Sequence, residues 1–171
     1  MTEREIHWPY KQGYSFEVEG VRLDLYRLLT QFVAEEKLAR LTAENDHLFN
    51  AVDTVGHFFD VETQRILIHA AVVARVKDDI EEESNLKMAN FDTTCGSLTE
   101  DVSKPTGVIP LTLREACNKI IHASKFHYDT EEEPYKVVNP IVHLYGRRGA
   151  KEWKVSIQII DFINVYINNV C

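Results

Sequence analysis

Three side chains share one helical ridge. Arg114, Asn118 and His122 stand at i, i+4 and i+8, and about 100° of turn per residue keeps that spacing in line along a helix. An imidazole titrates near neutrality and moves protons, a guanidinium holds a phosphate, and an amide orients either one. The set suits phosphodiester cleavage or nucleotide binding. His122 would activate a ribose 2′-hydroxyl while Arg114 neutralises the phosphate. The plainer account is that Asn118 and His122 hydrogen-bond a neighbouring loop and hold it.

A second group is Arg147, Arg148 and Lys151, with Lys154 close behind. It is the compact basic patch of an otherwise acidic chain, flanked by Tyr145 and Trp153. Arginines beside aromatics suit an RNA or DNA contact. A charged tip also keeps an exposed hairpin soluble. Trp153 shares a strand face with Val155 and Ile157, which points it to the core rather than to a ligand.

Other sets are thinner. Arg65 and His69 form an i, i+4 pair, with His57, Asp60 and Gln64 on adjoining turns. A metal needs three or four convergent ligands, and no HExxH motif, no pair of ExxH motifs and no Cys/His cluster occurs, so neither metal nor cofactor is expected. There is no GxGxxG, GxxxxGK[ST] or GxSxG motif. Glu35-Glu36 and Asp78-Asp79 are adjacent pairs that diverge around a helix, so they make poor paired carboxylates.

The stretch from Leu113 to Ala123 resembles the motif helix of the HEPN superfamily, whose motif is Arg, four to six residues, then His. Asn118-x-x-x-His122 is similar to its second half. The residue before Asn118 is Cys117 rather than Arg, and the nearest upstream arginine is Arg114. The resemblance implies a compact helical bundle and a dimer whose motif helices face each other across a cleft. It also implies a metal-independent ribonuclease working through Arg114, Asn118 and His122, with Arg147 and Arg148 guiding the strand.

The elements that must position these groups follow from patterning. Val21, Leu25, Leu28, Leu29, Phe32 and Val33 predict an amphipathic helix over 21–41, preceded by an aromatic arm, 1–20. A longer helix is expected from 46 to about 83, with Val52, Val55, Phe59, Ile66, Ala70 and Val73 inward. Residues 84–110 show no period and read as a long connecting loop, mobile or wrapped on the surface through Met88, Phe91 and Val108. Thr112-Leu113-Arg114-Glu115 is a capping box, which starts a helix running from Leu113 to about Phe126. An acidic loop follows, from Tyr128 to Pro134. Ile141–Tyr145 and the alternating run Trp153–Gln158 read as one antiparallel β-hairpin over about 138–158, with a loop of several residues. Ile159 to Val170 closes the chain as an apolar helix. The expectation is a mostly α fold: a helical bundle with one small hairpin before the C-terminal helix, all within one domain, 1–171.

Composition narrows the function. The chain has 171 residues, 19 basic and 27 acidic, for a net charge of −8. That balance argues against a broad nucleic-acid coat, which needs clustered Lys and Arg. No apolar run reaches the ~20 residues that span a bilayer. The N-terminus lacks the layout of a signal peptide. Three widely spaced cysteines, Cys95, Cys117 and Cys171, support no disulfide framework. A cytoplasmic binding or interaction module without catalysis, a homodimer with no membrane contact, is the first expectation. The HEPN-like ribonuclease or nucleotide-binding protein is the alternative.

Overall fold

The computed structural model describes residues 14–45, 49–84, 90–104, 107–131 and 137–171. Two long helices come first, α1 (Tyr14–Glu44) and α2 (Phe49–Ser84). Strands β1 (Thr94–Thr99) and β2 (Val108–Thr112) lead into α3 (Leu113–Ile121). Then come β3 (Lys125–Glu131), β4 (Val137–Arg148), β5 (Lys151–Gln158) and α4 (Ile159–Asn169). The strands form one five-stranded antiparallel sheet in the order β2-β1-β5-β4-β3.

That sheet corrects the expected helical bundle with one small hairpin over 138–158. The hairpin exists, but it is the centre of a larger sheet. The 84–110 segment is not a loop throughout: it holds β1 and the start of β2. The third helix stops at Ile121 rather than Phe126, and the supposed acidic loop begins as β3. Residues 14–20 of the arm belong to α1, while residues 1–13 lie outside the described residues.

Each difference has a local cause. β1 carries a bulge between Thr94 and Gly96, so its buried residues, Cys95 and Leu98, stand three apart and hide the period of two. β2 is an edge strand in which Leu111 is buried and Val108, Ile109 and Pro110 are exposed. A proline is tolerated there because the edge needs no ladder donor on its free side. In β3, Phe126 and Tyr128 pack against the core between outward Lys125, His127 and Asp129, an alternation that the capping box upstream masked.

Helices α3 and α4 lie against one sheet face, α1 packs on β4, and α2 packs against α1 and α3. Val142 and Leu144 of β4 pair with Ile157 and Val155 of β5 on that covered face. They join Leu25, Leu28, Phe32, Ile66, Ala70, Ile120, Phe162 and Tyr166 in one core. Phe59 meets Phe32 and Tyr128 edge-on where α1, α2 and β3 come together. The buried Tyr166 hydroxyl donates to the Ala70 carbonyl at 2.8 Å, tying α4 to α2. Not every residue expected inside is there, since Val33 is exposed.

Candidate functional site

The end of the central hairpin is where charge and shape converge. Arg148 pairs with Lys151 across a turn of only two residues, Gly149 and Ala150. Gly149 has φ +64°, a backbone region costly for any residue with a Cβ. Two positions inward, Gly146 faces Trp153. A side chain at Gly146 would collide with the indole, so this glycine makes the seat for the ring. Strand alternation puts Arg148, Lys151 and Trp153 on the covered face, where α3 adds Glu115 and Lys119. Thr112 begins that helix as expected, its hydroxyl accepting from the Glu115 N–H at 3.3 Å. The Glu115 carboxylate turns the other way, to Lys119 at 3.2 Å.

Together with Glu100, just past β1, these side chains line a cavity of about 260 Å³. Its lining has three cations and two carboxylates. The Lys119 ammonium sits 4.6 Å from the centre of the Trp153 ring, so the ring face is already taken by a cation–π contact. Arg148 and Lys151 make no ion pair among the described residues. Arg147 points to the opposite sheet face, in register with Glu152.

The ridge of Arg114, Asn118 and His122 is built differently. Arg114 reaches α2, bonding Asp78 at 2.6 Å and Glu82 at 2.9 Å, with its guanidinium over Phe91. Asp78 is buried and also held by Arg75 at 2.7 Å. Burial pushes its carboxyl above the ordinary range, and the two arginines recover only part of that cost. Asn118 is half-buried, and its carbonyl accepts the His122 N–H at 3.1 Å. His122 itself is exposed, at the C-cap just past the helix. The eight-residue span from Arg114 covers about 12 Å at 1.5 Å per residue. Arg114 is therefore committed to α2, and it is not brought together with His122 in one cleft.

Arg65 and His69 meet on another carboxylate. Both bond buried Asp24, at 2.8 and 2.9 Å. Burial alone would raise the Asp24 carboxyl. Hydrogen bonds and charge from Arg65 and His69 outweigh it and hold the group below its usual range. The side chain of His57 lies outside the described residues, and no cluster of metal-ligating groups is found among those described.

One constellation escaped the sequence reading. On the open sheet face, His143 Nδ1 lies 2.8 Å from Ser156 Oγ, and its Nε2 lies 3.0 Å from Asp129. Hydroxyl, imidazole and carboxylate are in nucleophile order. Ser156, however, is paired on both sides, with Ser97 and His143. The peptide N–H groups around it serve the ladder, not an oxyanion hole. The group clamps three strands. Only the register shows it, because the three residues lie on separate strands and share no sequence spacing.

Comparison with protein-family models, curated proteins and solved structures yields no match to this chain.

Proposed function

We propose that the chain is a binding module whose ligand is a small phosphorylated molecule, a nucleotide or the terminal phosphate of an RNA. The observation that carries this reading is the convergence of Lys119, Arg148 and Lys151 on the cavity above Trp153. Arg148 offers a bidentate fork to a phosphate and Lys151 a point charge. Lys119 covers the indole face, so recognition rests on charge and shape rather than on base stacking. A cavity of about 260 Å³ suits one phosphate-bearing group better than a long strand. The cytoplasm is the proposed compartment, supported by free Cys95, Cys117 and Cys171. Among the described residues no helix is long and apolar enough to cross a membrane.

Titration calorimetry with a nucleoside monophosphate, and with the matching nucleoside, tests the reading. The phosphate form should bind and the nucleoside should not. R148A and K151A should each weaken binding at least tenfold, since a hydrogen bond to a charged group is worth about 1.5–3 kcal/mol. No heat with any phosphorylated ligand, or unchanged affinity in both variants, overturns it. The ribonuclease alternative predicts instead that the wild-type chain cuts single-stranded RNA and that H122A does not.

A further inference from the structure

α2 turns an apolar stripe outward. Val61, Ile68, Val72 and Val76 are each at least 44% exposed, although they lie opposite the buried face of the same helix. Arg65 and Asp79 stand on this stripe, 45% and 58% exposed. At about 100° per residue, positions 65, 68, 72, 76 and 79 fall within roughly 80° of arc. Their separations, 3, 4, 4 and 3, read the same in both directions.

We infer that this stripe pairs with itself: two copies of the chain associate through antiparallel α2 helices, with the two-fold axis at Val72. The palindromic spacing then puts Val72 against Val72 and Ile68 against Val76 of the second copy. Arg65 falls against Asp79 of the second copy, at both ends of the contact. A closed two-fold interface requires this self-complementarity. Charge favours the arrangement. Parallel pairing would set Arg65 on Arg65 and Asp79 on Asp79, and moving the two-fold axis to residue 70 would set Arg65 on Arg75. Within its own copy Arg65 already bonds Asp24 and Glu62, and Asp79 bonds Arg75. The new contact extends those pairs into a network. This inference stands apart from the phosphate cavity, whose lining residues come from α3, the sheet strands and Glu100 just past β1 rather than from α2.

Cysteine cross-linking reads the register directly. Helices packed 8–10 Å apart bring Cα atoms on their contact line to roughly 3.5–5.5 Å, overlapping the disulfide window of about 4.4–6.8 Å. In a C171S background, V72C should therefore oxidise to a covalent dimer. V61C should not, because the two copies of residue 61 lie ~33 Å apart at 1.5 Å per residue. V72E, which puts two carboxylates on the axis, should reduce the light-scattering mass from twice 19.7 kDa to that of one chain, with the circular dichroism spectrum kept. D79R should weaken association about tenfold. A monomeric wild-type chain at high micromolar concentration overturns the inference, as does equal cross-linking, or none, at positions 72 and 61.

Discussion

Replacing Arg114 with Met separates a structural arginine from a catalytic one. The substitution keeps the stem over Phe91 and removes the bonds to Asp78 and Glu82. Glu82 is half exposed and loses little. Asp78 is buried and keeps one cation, Arg75. Breaking a buried pair outright costs about 3–5 kcal/mol, and losing one charged hydrogen bond about 1.5–3 kcal/mol. With Arg75 still in place the lower range applies, about 2 kcal/mol. For a chain of this size that is a fall of roughly 4–8 °C in melting temperature.

The pH dependence has a definite sign. Burial raises the Asp78 carboxyl in the folded chain above the ordinary aspartate value of 3.8. The folded state thus binds that proton more readily than the unfolded state, and stability falls as pH rises through the window above 3.8. R114M raises the folded value further and widens the window. Its deficit should be full at pH 7 and shrink toward pH 4, followed by thermal melts across that range. D78N, which removes the buried charge itself, should cost less than R114M, and the double variant should be little worse than D78N alone. A deficit that grows on acidification, or an R114M melt within about one degree of wild type at pH 7, would refute this account.

Other outcomes follow from single contacts. T112A should cost about 1 kcal/mol through loss of the α3 cap, seen in urea unfolding. G149A should cost about 1 kcal/mol or slightly more, because its positive φ strains a residue with a Cβ. G146A should cost about 1–3 kcal/mol by overpacking against the indole, and it should alter tryptophan fluorescence while G149A does not. Thiol titration of the native chain should label Cys171 first. Burial pushes the Cys95 thiol up to about 12 and the Cys117 thiol higher still, and only a thiolate reacts.

The helices were legible because each carries a long apolar stripe or a cap. Val21, Leu25, Leu28 and Phe32 repeat at helical spacing over α1, and Thr112 caps α3 through its hydroxyl. The sheet was hidden where strands lean on position rather than on pattern. β1 breaks its period at a bulge, and β2 shows mostly exposed side chains. Phe126 and Tyr128 sit just after a strong helix signal, which carried the reading past the true end at Ile121. Trp153, Val155 and Ile157 alternate without interruption, so that strand is legible as the second arm of a hairpin.

The site divides along the same line. Helical spacing puts Arg114, Asn118 and His122 on one ridge, but α3 ends at Ile121 with His122 at its C-cap, and a ridge does not say what faces it. Asp78 and Glu82 come from α2, more than thirty positions away, and they take Arg114 out of any cleft. Arg148 and Lys151 were visible as a basic tip, whereas Lys119 was not singled out, because nothing in its neighbourhood marks it. Its place follows only when α3 is laid against β5 and its ammonium meets Trp153. Gly146 bridges the two levels. In sequence it reads as turn composition; in the sheet it is the position whose missing side chain lets Trp153 lie flat. The cavity floor thus depends on an absent Cβ, and its charge depends on strands paired across the sheet.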